Sequence, residues 1–380
     1  MDIVWQIVVF IVQAAIVFLV STLLFDGLHY LLHRWQNSPN KWLRMFSRWH
    51  WVHHKFLTPE MKIDPAYRMQ NIWLHVLPEY GTSMAGTLLF FFFMPWEPVA
   101  FIVVIRTIMV IVVVWEEGMD FNHMQMDRVS GKFGLWWVGK SYHAMHHIFP
   151  NSFYSSFLNI FDVIFAKGCQ IEGRRFLITG ASGAFGSAMK TRLERMGGIV
   201  ETAKSGVDFS AGDYERMREK LERADVLVLS HGAKSEDCWN ANYTTFVDLI
   251  EMFRAIGEGR LTPPEVWGLG SEVELHGDMG MAELRDYAAS KRAFAVKARQ
   301  YDIDQDILYR HIVPSAFTSA MGKGMMSAEV AVGMALFFIR RGFTYVPVTL
   351  TTLAYWNYIR FRLLKPDTTV GPDQPQPAGN

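Results

Sequence analysis

Cysteine is scarce in this chain of 380 residues. Only Cys169 and Cys238 occur, which excludes a disulfide framework and a Cys-x-x-Cys site, and a reducing cytosolic face is the simplest home for both. Net charge is missing too. The 37 Lys and Arg residues balance 37 Asp and Glu, so nothing electrostatic favours nucleic acid, and no such partner is expected. Between Ile3 and Phe25 there is no charge at all ("IVWQIVVFIVQAAIVFLVSTLLF"). That run exceeds the roughly 20 residues a membrane-spanning helix needs. It also lacks a basic leader and a small-residue cleavage site, and so reads as retained in the protein.

The residues that are present are unevenly spread. Ten of the 13 histidines precede residue 148, whereas the charged, helix-forming and Gly-rich stretches follow residue 170. A domain boundary is expected near "FAKGCQIEGRR", dividing the chain into 1–168, 172–365 and a disordered tail, 366–380. Two more apolar segments, Asn71 to Met94 and Pro98 to Trp115, are joined by "PWEP" and read as a helical hairpin. Arg34, Lys41, Arg44, Arg48, Lys55, Lys62 and Arg68 lie between the first span and this hairpin, while Asp2 precedes the span. The positive-inside rule then sets the N-terminus away from the cytoplasm and both halves' functional regions on the cytoplasmic side of a multi-pass protein.

Histidine spacing carries the chemistry. "HYLLH" holds His29 and His33, "HWVHH" holds His50, His53 and His54, and "HAMHH" holds His143, His146 and His147. Residues i, i+3 and i+4 share a helix face, so each motif projects its imidazoles together. His123, after the hairpin, makes nine. Imidazole suits iron, zinc and copper, and nine ligands exceed what one ion can use. Two ions held between helices that extend from the membrane are expected.

These motifs, interrupted by an apolar hairpin and followed by "HHIFPNSFYSSFLNIFDVIF", resemble the fatty acid hydroxylase/sterol desaturase superfamily over residues 20 to 168. The resemblance implies a di-iron centre that uses O2 to hydroxylate or desaturate an unactivated C–H bond of a lipid within the bilayer. No haem, flavin or iron–sulfur pattern is visible, so an external electron donor of ferredoxin or cytochrome b5 type is implied. Many members carry a second histidine near the third motif. Here Asp127 stands four residues after His123, leaving Asp127 or His75 as a further ligand.

The second half opens with "RRFLITGASGAFGSAMKTRLERMG", an apolar strand, a Gly-rich turn and a helix. Small residues there let a pyrophosphate approach the helix N-terminus. The later "GGIVETAKS", "ADVLVLSHGAK" and "EVWGLGS" alternate with helical stretches, as a Rossmann-type α/β parallel sheet requires. In "DYAASKRAFAVKA", Tyr287 and Lys291 lie one helical turn apart, and an ammonium beside a phenol favours its ionisation and proton exchange with an alcohol oxygen. Ser271, at a strand end, is placed to hydrogen-bond the same oxygen.

Together these features resemble a short-chain dehydrogenase/reductase. The resemblance implies that Gly180, Gly183 and Gly186 line the pyrophosphate, that Asp208 meets the adenine, and that Asn242, Ser271, Tyr287 and Lys291 form the catalytic group. Lys204 and Ser205, where an acid would hold a ribose 2′-hydroxyl, favour NADP over NAD. The fold expected is an α-helical membrane domain with histidine-rich cytoplasmic helices, followed by an α/β domain. The function expected is a bifunctional lipid oxidoreductase. The rivals are a carotenoid or sterol-like ring hydroxylase or desaturase with a non-catalytic nucleotide-binding domain, and a non-enzymatic metal-binding membrane anchor. The aromatic and basic stretch from Phe337 to Lys365 reads as a terminal helix and strand of the α/β domain in preference to a membrane-surface segment.

Overall fold

The computed structural model describes residues 3–234 and 237–364. The expected disordered tail and Asp2 lie outside the described residues. The chain divides into two compact units, one of residues 1–129 and 133–169, the other of 130–132 and 170–380.

The first unit is helical. Helix α1 (Ile3–Arg34) is 32 residues long, about 48 Å at the α-helical rise. That exceeds a hydrocarbon core of about 30 Å, so α1 continues past its apolar run and carries His29 and His33 on its last turns. After a short turn, α2 (Lys41–Phe56) starts at Asn40, whose side chain accepts from Trp42 N at 2.9 Å. A continuous helical stretch follows: α3 (Arg68–Asn71), a π-turn over Ile72–Val76, and α4 (Leu77–Leu88). Helix α5 (Trp96–Trp115) returns after Pro95. This is the expected hairpin.

Helices α1, α4 and α5 pack against one another around Ala14, Val17, Val99 and Ile102. Their outer faces expose Ile7, Ile11, Val104, Ile108 and Ile111. A surface that apolar, on two helices long enough to cross a bilayer, belongs in lipid. A loop over 118–139 leads to α6 (Lys140–Ile148) and α7 (Ile160–Phe165).

The second unit alternates strand and helix. Its elements are β1 (Arg175–Thr179), α8 (Ala184–Arg195), β2 (Ile199–Ala203), α9 (Glu215–Arg223), β3 (Val226–Leu229), α10 (Thr245–Ile256), β4 (Glu265–Leu269), α11 (Val273–His276), α12 (Arg285–Ile303), β5 (Leu308–Pro314), α13 (Ala328–Ile339), β6 (Tyr345–Val348) and α14 (Leu353–Leu363). The six strands form one parallel sheet in the order β2-β1-β3-β4-β5-β6. Strands β3, β4 and β5 are buried along their whole length, because crossover helices cover both faces of a parallel sheet. Strand β6 and α14 complete this unit, as expected for the stretch after Phe337. The order reverses between β1 and β3. In open α/β sheets the ligand crevice lies there, outside the carboxyl ends of the strands.

Candidate functional site

Three helices and one loop bring all nine predicted histidines of the first unit together. Their potential ligand atoms form two groups, each within 4.8 Å: His29, His33, His50, His54 and His146 in one, His53, His123, His143 and His147 in the other. The motifs do not stay whole. On α2, His50 and His54 face the first group and His53 the second; on α6, His146 faces the first and His143 and His147 the second. Helical geometry explains the split, because i+3 and i+4 lie on opposite sides of i and about 100° apart. One H-x-x-H-H motif therefore contributes to both groups.

The surroundings hold these rings in ligand-like poses. Nδ1 of His29 lies 3.1 Å from Tyr154 O, that of His146 2.8 Å from Ser152 O, and that of His147 2.9 Å from Leu57 O. Nδ1 of His123 meets Asp120 Oδ1 at 2.8 Å. Each bond leaves Nε2 turned inward, and Nε2 of His29, His123, His146 and His147 is buried without a protein partner. A metal-ligating histidine is held in this way, its second nitrogen donating to a carbonyl or carboxylate. His143 has both nitrogens unpartnered. Nε2 of His33 lies 2.9 Å from that of His50 and 3.3 Å from that of His54. Two ligands at right angles, each about 2.1 Å from an ion, stand about 3 Å apart. The donor set fits metal.

Burial holds the imidazoles neutral with their lone pairs free. It pushes His50, His53, His54, His143 and His147 well below the usual imidazole value, with neighbouring imidazoles adding to the effect. His146 falls to about 4, although its bond to Ser152 opposes the shift. His123 goes the other way: burial lowers it, but Asp120 outweighs burial and raises it.

Two residues left open by the spacing are now distinguished. Asp127 is exposed and paired with Lys62 at 2.5 Å, away from both groups. His75, on the π-turn, stacks on His53 with ring centroids 3.8 Å apart. Its Nε2 lies 3.3 Å from Glu79 Oε2, and it is not among the four ligand atoms of the second group. Sequence reasoning missed Asp120 and left Asp162 without a role. Asp162 accepts from Tyr154 N and Ser155 N, each at 2.9 Å, and from Tyr142 Oη at 2.8 Å. It thereby shapes the loop whose carbonyls orient His29 and His146. The Asp-x-x-His spacing was the one available signal for Asp120.

In the second unit the Gly-rich turn joins β1 to α8. Gly180 has φ +71°, and a Cβ there would meet His231 N at 2.5 Å; a Cβ at Gly186 would meet Gly180 O at 2.3 Å. The turn is therefore tight and α8 sits close on the sheet, with Gly183 preceding the helix at its N-terminus. Lys204 follows β2. Asp208 accepts from Lys204 N at 2.7 Å and pairs with Lys220 at 3.3 Å, so its carboxylate closes its own loop.

Ser271 follows β4, and its hydroxyl accepts from Val273 N at 3.4 Å and lies near enough to Tyr287 of α12 to oppose the rise of its phenol. Asn242, on a second π-turn, donates to Ala233 O at 2.7 Å and accepts from Ala233 N at 3.2 Å. It also donates to Ser290 at 3.2 Å. Lys291 is buried and donates to Leu269 O at 2.8 Å; burial lowers its ammonium to about 8. The expectation that Lys291 depresses the Tyr287 phenol is corrected. Burial raises Tyr287 above the usual phenol value, Ser271 opposes that, Glu274 adds to it, and the Lys291 ammonium is engaged by a backbone carbonyl. A buried relay behind Ser271 was also missed: Glu274 Oε1 meets His311 Nε2 at 2.9 Å, and His311 Nδ1 meets Tyr309 Oη at 3.1 Å.

Residues 15–167 match the model of the family described as fatty acid hydroxylase. The chain is 23% identical over 250 residues to a monoglucosyldiacylglycerol epimerase of Synechocystis, covering 58% of this chain and 60% of that protein. The chain thus spans about 60% of the length of the curated relative it matches. Solved structures similar to its C-terminal half include a short chain dehydrogenase from Burkholderia cenocepacia in complex with NADP. That match has 15% identity, 51% of this chain, 96% of that one and a TM-score of 0.41. They also include a bulky-bulky ketone specific alcohol dehydrogenase from Comamonas testosteroni (17% identity, 49% and 90% covered, TM-score 0.39).

Proposed function

We propose, from the fatty acid hydroxylase domain at residues 15–167 and the crevice of the sheet that follows it, that this membrane-associated lipid oxidoreductase works in two steps. The N-terminal unit oxidises a C–H bond, and the C-terminal unit interconverts the resulting alcohol with its carbonyl. The observation that carries the reading is the set of nine clustered histidines, of which His29, His123, His143, His146 and His147 keep an Nε2 with no protein partner. Two iron ions would be held by them, one per group, and bound iron would supply the O2 activation that C–H oxidation needs. Asp120, Ser152, Tyr154 and Leu57 would keep the rings aimed. Electrons would come from an external donor of ferredoxin or cytochrome b5 type.

In the C-terminal unit, Gly180, Gly183 and Gly186 would cradle the pyrophosphate of a nicotinamide dinucleotide, and Lys204 favours NADP. Asp208 would border the adenine. Tyr287 would take the hydroxyl proton as the carbinol hydride departs, with Ser271 holding the oxygen and Lys291 and Asn242 keeping the group in place. Tyr287→Phe removes only that proton carrier and should cost 10²–10⁴-fold in alcohol turnover, about the usual worth of general acid–base catalysis. Cells carrying it should accumulate a hydroxylated lipid, and His146→Ala should abolish both hydroxylated and carbonyl species. An unchanged lipid profile in Tyr287→Phe beside a changed one in His146→Ala overturns the sequence of steps.

The match to an epimerase favours a second reading. The same Tyr287 site would remove and return one hydride at a hydroxyl-bearing carbon, inverting it with no net redox change. A lipid deuterated at that carbon separates the two. Deuterium accumulates in reduced dinucleotide if oxidation is net, and stays in an isomeric lipid if inversion is.

Both sites would face the cytoplasm of a multi-pass protein, since the basic residues between α1 and the hairpin favour that orientation. A cytoplasm-dependent reporter fused after residue 168 should be active, and one at the N-terminus silent. The opposite pattern reverses the orientation.

A further inference from the structure

A cavity of about 100 Å³ opens beside the second histidine group, lined by His53, His75, Glu79, Ser83, Arg106 and His123 among others. Apolar walls come from Val76, Met109, Val110 and Val113, as a lipid substrate requires. The polar residues are harder to explain. His75, Glu79, Ser83 and Thr87 follow one another at i, i+4 down a single helical face, about 18 Å from first to last. Thr87 accepts from Arg106 Nε at 3.1 Å.

Arg106 sits within α5 and is 8% exposed. An ionisable residue at that depth is costly and marks a functional site by default. No carboxylate pairs with it among the described residues. Its Nη2 donates to Phe18 O, Ser21 Oγ and Thr22 Oγ1 at 3.2, 2.7 and 3.0 Å. These neutral oxygens hold the guanidinium still. Among the described residues, no hydrogen bond uses its Nη1, nor Oγ of Ser83, which is 6% exposed. Asp120 is engaged by His123. The cavity therefore offers two open donors (Nη1 of Arg106 and the Ser83 hydroxyl) and the Glu79 carboxylate as acceptor. Its Arg106 and Glu79 charges cancel.

We propose that this cavity binds a neutral hydroxyl-bearing group of the lipid, such as a diol, and presents the C–H bonds beside it to the metal site, with Arg106 as the specificity-determining residue. A plain hydrocarbon would leave the two donors unpaired and Glu79 with only its His75 contact, and a carboxylate ligand would meet the Glu79 charge. A group that both donates and accepts satisfies all three. The proposal rests on the reading that the N-terminal unit acts on a lipid.

The test reads binding and not turnover, so loss of C–H oxidation overturns the proposed function without touching it. Iron-loaded full-length protein in nanodiscs is titrated with labelled hexadecane-1,2-diol against empty nanodiscs, with hexadecane and hexadecanoate as competitors. The diol should bind saturably and compete about ten-fold better than either, the scale of one hydrogen bond to a charged group. Arg106→Met and Ser83→Leu should each weaken it about ten-fold, and Glu79→Gln should shift preference towards hexadecanoate. Unchanged iron content shows that Arg106→Met is folded; if it is not, Ser83→Leu and Glu79→Gln decide. Equal competition by hexadecane, stronger competition by hexadecanoate in the wild type, or wild-type diol binding in the folded variants overturns the proposal.

Discussion

Two of the protein's buried polar clusters are built on opposite plans. In the α/β unit, Glu265 at the start of β4 has both carboxylate oxygens engaged. Oε1 accepts from Arg310 Nε at 2.6 Å and from Trp267 Nε1 at 2.8 Å, and Oε2 pairs with Arg174. In the helical unit, nine histidines crowd together and most keep a buried nitrogen without a protein partner. Both clusters are out of water, so both face a desolvation cost, larger for the charged groups around Glu265. Partners within the chain meet that cost around Glu265. Around the histidines the chain supplies partners for some ring nitrogens and leaves others without one, and the missing partner must come from outside. An unsatisfied buried cluster is thus the mark of a binding site, and a satisfied one the mark of architecture.

Acid should separate the two most widely. In metal-free protein the buried histidines of α2 and α6 are neutral, and their lowered values mean that the unfolded chain binds more protons below pH 6.5. Their contribution to stability is present above that pH and is lost as pH falls, for His146 down to about 4, on the order of 3 kcal/mol for that residue alone. Glu265 is lowered to about 2, the two guanidinium groups outweighing burial. Its contribution persists to about pH 4.5 and disappears only between there and 2. Circular dichroism against pH, with tryptophan fluorescence, should show the helical unit loosening first. Simultaneous loss of both units above pH 5 breaks the contrast.

Glu265→Ala comes next. Leaving Arg174 and Arg310 buried without their carboxylate should cost about 3–5 kcal/mol, read as a lower urea midpoint for the α/β unit with metal content unchanged. Asp120→Asn is smaller. It removes the charge that orients His123, and losing such a partner should weaken metal binding about 10–100-fold, measured by chelator competition, with fold retained. His143→Leu has the smallest expected effect on the fold. Replacing a ring with two unpartnered nitrogens by an apolar side chain should change metal-free stability by less than about 1 kcal/mol, while metal is lost from the second group. A large destabilisation there would place His143 on the architectural side of the comparison.

Much of this was legible from local pattern. The charge-free run of α1, the hairpin, the i, i+3, i+4 histidines and the Gly-rich turn each report helix or strand geometry within a few residues, where side-chain period and backbone sterics decide the outcome. The sheet's parallel character followed from alternating strand and helix signals. Less visible was anything set by contacts between distant segments. Asp162 lies 15 or more residues from the nearest H-x-x-H-H motif, and nothing in its neighbourhood announces that it shapes a loop for His29 and His146.

By itself, the sequence determined that nine imidazoles would be carried on short helical stretches at the end of a membrane-length helix, and that a dinucleotide-type turn would open a parallel sheet. Which histidine joins which group was decided by tertiary structure. His50 and His53 are three residues apart yet face different groups: α1 supplies partners only to the first, the loop at His123 only to the second, and α6 to both. The exposure of Asp127, the stacking of His75 on His53 and the raised phenol of Tyr287 were decided the same way. Each depends on what a side chain meets after the chain has folded: Lys62 for Asp127, Glu79 for His75, and burial with Glu274 nearby for Tyr287. Local spacing fixes direction along a helix, but solvation and partners are properties of the packed interior.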